Sequence, residues 1–394
     1  MMWPGDNFFR HIIHNNLTNN NKVQVPDIDN GLKIYGPLRE MLEGKMTRTN
    51  PTKATFDRQP VPTQIAEKFH NGVQLEFDLL FVNRLPFLHS RSQKIDFRTI
   101  KLLPSREKGY IKEACKRVVQ KYKKRGFNVT DYHVDNEFSI DGLEELLEAN
   151  KHLCAADEHI GGIEQQARTI KERARCACHH MPYQILPKLL VRAMMESIVK
   201  WLNAFPTKGG ISQTVSPATI VEGKPKPNMS YERPVIGSYC MAFTQSSNGM
   251  RSRSVPSIAL KESNDRGGHY FMNLHTAKEI HSYKWQELPI DQDVIDRVEE
   301  IAANEGQPEI PIGQPIFEWE PGVGIDDDDS MLQEDSEHIE VSNDAYDNLF
   351  EEPNGQQEQI DSNEIVNLQN DIINDTDENY ENDDNDNIYD NGNK

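Results

Sequence analysis

Between Val73 and Leu103 the chain passes through three short apolar-rich segments, VQLEFDLLFV, LPFLHSRS and KIDFRTIKLL, separated by only a few residues each. Gaps this short cannot hold a crossover, so the three strands must fold back on one another as an antiparallel meander. The next stretch changes period. REKGYIKEACKRVVQKYKKRG sets Ile111, Cys115, Val118, Val119 and Tyr122 on one helical face, with Gly126 placed to end the helix. NVTDYHVD then reads as a strand, GLEELLEAN as a short helix and HLCAA as a last short strand. Residues 160–180 and 187–205 read as two long helices, separated by Pro182 and Pro187, neither of which fits a helix interior. In the second, Leu190, Met194, Ile198 and Leu202 form a packing stripe. This order of elements predicts an α/β layout with a mixed sheet.

The flanks are less patterned. Residues 1–30 mix Asn, His and scattered apolar side chains and read as loop or a poorly packed arm. PLREMLEGK and PTQIAEKF are short helical runs on either side of a Thr/Pro-rich linker. Residues 206–231 are turn-rich, and PVIGSYCMAF, RSVPSIALK and HYFMNLHTAKEIHSYKWQEL then predict a small all-β module. DQDVIDRVEEIAAN (291–304) reads as its closing helix. The expected division is an arm and linker over 1–70, an α/β core over 71–205, a β-rich module over 206–305 and an acidic tail over 306–394.

Charge separates the tail from everything before it. The chain carries a net −20, yet Asp326–Lys394 alone holds 24 acidic residues and one basic. Residues 1–325 are therefore slightly basic, so the low pI does not exclude a nucleic-acid partner for the body. A stretch this acidic and aperiodic predicts disorder; it could mimic nucleic acid on a basic face or serve as a link. The five cysteines include no CxxC pair, as a reducing compartment tolerates. No apolar run reaches the roughly 18 residues of a membrane span, and the N-terminus lacks the order of a secretory signal. A soluble, intracellular protein with no membrane partner is expected.

Three acids stand out: Asp78 among the apolar residues of the first strand, Asp135 at a strand end, and Glu164 one turn into a helix. A charge inside a strand is costly without a partner, and a metal would remove that cost. Two divalent ions about 4 Å apart, clamped by carboxylates, can activate an attacking hydroxyl and stabilise the leaving oxygen of a phosphodiester. Hard cations such as Mg²⁺ or Mn²⁺ require oxygen ligands of this kind. Asp96, Asp131, Asp157 and Glu158 compete for the same role on spacing alone. Arg168 and Lys171 follow Glu164 at i+4 and i+7, where they could meet a DNA phosphate. Twelve Lys or Arg residues between Lys94 and Arg125 form a second basic stretch, with a solvated helix face as the alternative reading. Cys176, Cys178, His179 and His180 read as a helix end rather than a zinc site, and His11 and His14 as ordinary polar residues.

The segments LEFDLLFVNRLPFLHS, YHVDNEFS and DEHIGGIEQQARTIKERAR resemble the integrase catalytic region of Copia-type LTR retrotransposon polyproteins. ERPVIGSYCMAF and the stretch from RSRSVPSIALK to QDVIDRV resemble the region that follows it, so the likeness covers residues 30–305. The resemblance implies an RNase H-like fold with Asp78, Asp135 and Glu164 as catalytic and metal-binding residues. It implies Mg²⁺- or Mn²⁺-dependent DNA 3′-end processing and strand transfer, with Arg168 and Lys171 touching DNA. The implied partners are retroelement ends and target DNA, engaged by a homo-oligomer, with residence in the nucleus. Departures from the family pattern include Asn136 before Glu137 and the lack of an upstream His/Cys zinc module, which fit a decayed copy. The alternatives are a catalytically inactive DNA-binding or scaffold protein of retroelement origin and another RNase H-like nuclease.

Overall fold

The computed structural model describes residues 6–15, 17–47, 58–135, 138, 140–153, 161–208, 210–227, 233–244, 250–263, 267–309 and 315–317. Short helices lead the chain: α1 (Asp6–His14), α2 (Val25–Tyr35), α3 (Arg39–Lys45) and α4 (Thr63–Phe69). The meander follows as β1 (Asn71–Val82), β2 (Leu85–Ser92) and β3 (Arg98–Leu102), then α5 (Lys108–Lys123), β4 (Asn128–Val134), α6 (Leu143–Leu147) and β5 (Asn150–Leu153). The long helices are α7 (Gly161–His180) and α8 (Lys188–Ala204), and a short α9 (Pro217–Glu222) comes next. A second set of strands, β6 (Tyr239–Phe243), β7 (Ser254–Glu262), β8 (His269–Asn273), β9 (Glu279–Ser282) and β10 (Trp285–Glu287), is closed by α10 (Gln292–Asn304).

The first sheet has the order β3-β2-β1-β4-β5. β1, β2 and β3 are antiparallel neighbours, while β1–β4 and β4–β5 run parallel. This is the mixed sheet of an RNase H-like fold, and it follows from the turns. Asn83 and Arg84 both take positive φ (51° and 70°), giving the two-residue hairpin that fixes Val82 opposite Leu85. The connections that hold α5 and α6 are instead long enough to carry the chain across for parallel pairing. Gly126 at φ 78° ends α5, and the Phe127 amide donates back to the Tyr122 carbonyl at 3.0 Å.

Alternation assigns the two faces of this sheet. Val73, Leu75 and Phe77 join Ile111, Cys115, Val118 and Tyr122 of α5 in the main apolar core. The intervening Glu76 lies on the other face, under α7. The second sheet, β10-β6-β7-β8-β9, is wholly antiparallel. α8 packs against β3 of the first sheet and β7 of the second, which explains why Leu190, Met194 and Ile198 are buried along with Val191, Ala193 and Met195. Ion pairs bind it to the second sheet: Arg192 with Glu279, Lys200 with Glu262, and Glu196 with Lys261 at 2.7 Å.

Two sequence expectations are corrected. Within residues 1–30, which read as loop or a poorly packed arm, Asp6–His14 is helical and Val25 begins α2, a helix that buries none of its described residues. In VPDIDNG the Asp27 carboxylate accepts from the Gln24 amide at 2.8 Å, so residues that read as a turn begin a helix. The turn-rich stretch 206–231 contains α9, capped by Ser216, whose hydroxyl accepts from Thr219 N at 3.2 Å, and stopped by Gly223 at φ 69°. Ala155, Ala156, Asp157 and Glu158, and the acidic stretch from 318 onward, lie outside the described residues. Among the described residues no helix is long and apolar enough to cross a membrane.

Candidate nucleic-acid interface

The fold sets the three expected acids on adjoining elements. Asp78 is half-buried in β1, opposite His89 of β2, and its Oδ1 accepts from the Leu79 amide at 2.8 Å. Asp135 is exposed, one residue beyond the end of β4. Glu76 pairs with His133 across the parallel β1–β4 ladder, so the same register carried two residues further brings Asp78 level with Asp135. Glu164 is exposed in the first turn of α7, which packs on β1 and β2.

Their side chains do not make a metal centre. Among the described residues, which include all three acids, no group of three His, Cys, Asp or Glu side chains could hold a metal ion. The expected Mg²⁺ or Mn²⁺ cofactor is therefore corrected, and with it metal-dependent end processing and strand transfer. A phosphodiester attack of this type needs carboxylates converging on shared cations, which neighbouring backbones alone do not supply. The RNase H-like nuclease alternative needs the same clamp and falls with it.

A buried polar network lies under α7 instead. Arg91 donates Nε–H to Asp96 Oδ1 at 2.6 Å and reaches Glu76 Oε2 through Nη1 at 3.3 Å. Arg98 meets Asp96 Oδ2 through Nη2 at 2.6 Å and donates Nε–H to Gln166 Oε1 of α7 at 2.6 Å. Burial pushes the Glu76 carboxyl up in spite of the Arg91 charge, and it pushes the Arg98 guanidinium down against the pull of Asp96. The backbone of α7 comes so close that a Cβ on Gly162 would sit 2.1 Å from Arg91 Nη1 and 3.0 Å from both Glu76 oxygens. These residues are far apart in sequence and look like surface charges there. Only the apolar residues flanking Glu76 and Asp96 hinted at burial.

The outer side of α7 is cationic. After Gly161 it carries Arg168, Lys171, Arg173 and Arg175 against Glu164 and Glu172. Glu164, Arg168, Lys171 and Arg175 follow one another at helical spacing along one stripe. Arg168 is 82% exposed and pairs with Glu172 at 3.3 Å, an ion pair that water and salt weaken. Lys171 and Arg175 lie over the ring of Phe317, at 5.5 and 5.0 Å from its centroid. Further along, Cys176, His179 and His180 are exposed, whereas Cys178 is buried against Met194.

The second basic stretch is placed differently. α5 covers the sheet face opposite α7, and several of its cations are held in surface ion pairs with acids of this chain. Lys121 pairs with Glu222 at 3.0 Å, Lys123 with Glu148 at 2.6 Å and Arg117 with Glu113 at 3.4 Å. Arg125, just past the helix, donates to the carbonyl oxygens of Gln59, Thr219 and Ile220.

Histidines add a feature that the sequence did not reveal. His89 is fully buried, neither ring nitrogen has a hydrogen-bond partner among the described residues, and its pKa falls to about 3. Burial is the main cause, and the charges of Arg98 and Arg91 add to it. At the sheet edge His133 and His152 stack 5.0 Å apart, and Asp131 Oδ1 lies 2.9 Å from His152 Nε2. The Thr130 hydroxyl first, then His152, holds Asp131 well down, at about 2.

No family model matches the chain, and no curated protein matches it. Among solved structures it is similar to the catalytic core domain of BIV integrase, with a TM-score of 0.30 and 17% identity. That similarity covers 38% of this chain and 93% of the other.

Proposed function

We propose that this chain is a catalytically inactive DNA-binding or scaffold protein of retroelement origin, with the outer stripe of α7 as its DNA-contacting face. The cations of α7 carry the proposal: Arg168, exposed, and Lys171, half-buried, stand on a helix anchored beneath by Gln166 and Gly162. Cations placed in this way engage phosphate oxygens and position a duplex without reading its sequence. Asp78, Asp135 and Glu164 are part of the same proposal as remnants of an integrase-type site. The Copia-type ancestry rests on the sequence resemblance of the segments around those three acids and of the region downstream. The division at residues 70, 205 and 305, the homo-oligomer and the nuclear residence belong to the proposal too.

Fluorescence anisotropy with a labelled duplex, in EDTA and across a salt series, tests it. The expected result is metal-independent binding whose logarithmic salt dependence flattens by about 2 units in the double variant Arg168→Gln/Lys171→Gln, about 0.9 for each phosphate left unneutralised. Equal affinity and equal slope in the two proteins would remove α7 from the interface.

A further inference from the structure

Phe317 rests on the cations of α7 from a point in the chain about 140 residues away. Its ring lies under both Lys171 and Arg175, side chains one helical turn apart on the proposed DNA-contacting stripe. The residue before it is fixed in place. Asn83 in the β1–β2 turn donates its amide to the Ile316 carbonyl at 2.7 Å, and its side-chain oxygen accepts from Ile316 N at 3.0 Å. Asn83 is buried, and so is Pro315 beside Ile316. The backbone of this segment is thus pinned on both hydrogen-bonding sides to a rigid hairpin turn. Phe317 is set down on the charged helix.

We infer that Pro315–Phe317 is a strap that occupies the Lys171–Arg175 end of α7 and competes with nucleic-acid phosphate for those two cations. This rests on the reading of α7 as the DNA-contacting face. A cation over an aromatic ring is attracted to the ring's negative face, and its approach to an anion from that side is blocked. Arg168, nearer the N-terminal end of the same stripe, makes no such contact among the described residues and stays 82% exposed. The stripe therefore has an open end and a covered end. A duplex first meets Arg168, and full engagement requires Phe317 to leave Lys171 and Arg175. Two ring contacts and two hydrogen bonds are a modest restraint, and phosphate contacts can displace it.

The experiment compares the full chain with Phe317→Ala and Phe317→Leu, by anisotropy on one labelled duplex across a salt series. Phe317→Leu keeps apolar packing and removes only the ring. Both variants are expected to bind about tenfold more tightly at low salt with an unchanged logarithmic salt slope, since the same cations meet phosphate once the strap has left and only the cost of displacing it is removed. Adding Lys171→Gln and Arg175→Gln to either variant is expected to abolish the gain. Unchanged affinity in both Phe317 variants, with binding weakened by Lys171→Gln/Arg175→Gln alone, would overturn the strap while leaving the α7 face intact. No effect from any of these substitutions would overturn both.

Discussion

Asn203 on α8 pairs both of its amide groups with the backbone of Arg98 on the edge strand β3. Its Oδ1 accepts from Arg98 N at 2.9 Å and its Nδ2 donates to Arg98 O at 2.7 Å, with Asn203 only 5% exposed. A side-chain amide here takes the place of the next strand, so a helix closes the sheet edge. Asn203→Leu, which nearly keeps the volume, leaves a buried N–H and C=O without partners. It should cost about 2–6 kcal/mol, at about 1–3 for each of the two unsatisfied groups. Urea unfolding of the two proteins gives the number, and a loss below about 0.5 kcal/mol would show that water or another group takes over.

Gly162 is small because Arg91 and Glu76 lie against its backbone. Gly162→Val must drive the guanidinium from its place between Glu76 and Asp96 or lift the first turn of α7. A loss of about 1–3 kcal/mol is expected even though Val is not a helix breaker. Gly162→Ala together with Arg91→Gln should cost less than the sum of the two single changes, because they act at one contact.

Acid sensitivity should come in part from histidines. The pKa of His89 is lowered to about 3 and that of His269 to about 4, both chiefly by burial. In the unfolded chain each titrates near its ordinary value of about 6.5. Below that pH the unfolded state binds protons that the folded state refuses, so stability is full above pH 6.5 and falls as the pH drops toward 4 and 3. Urea midpoints measured from pH 8 to pH 4 should decline, and His89→Leu should flatten the decline. A variant that follows the original curve in parallel would contradict this account of His89.

Arg192 is 4% exposed and pairs with Glu279 across the contact between α8 and the second sheet. Removing one partner of such a pair leaves an uncompensated buried charge. Arg192→Ala is expected to lose about 3–5 kcal/mol, and Arg192→Met with Glu279→Leu to recover most of it. Thermal unfolding of the three proteins decides this. A single variant as stable as the parent would mean that Glu279 finds water.

Much of the fold was legible in the chain, for local reasons. LPFLHSRS is β2 to the residue, because the short turns on both sides leave no latitude. α7 and α8 end within a residue of their expected bounds, since Pro182 and Pro187 separate them. α1, α2 and α9 were missed because Pro, Asp, Asn and Ser serve both turns and first helical turns, and only packing decides between them. Asp78 within a strand, Asp135 at a strand end and Glu164 in the first turn of a helix were also foreseeable. Whether three carboxylates share one ion is decided within a few ångströms, finer than any sequence pattern reaches. The network of Glu76, Arg91, Asp96 and Arg98 was invisible because charged residues advertise the surface, and only mutual pairing lets them be buried.

The most direct test offers a labelled duplex with the matching retroelement end, in Mn²⁺ and in Mg²⁺, to the full chain and to Glu164→Gln. Joined or trimmed products are then resolved by length. The account predicts no product that depends on Glu164, with both proteins still binding the duplex in a salt-sensitive way. Trimmed or joined products that vanish in Glu164→Gln would contradict it, and would mean that the three acids assemble a working metal site on DNA.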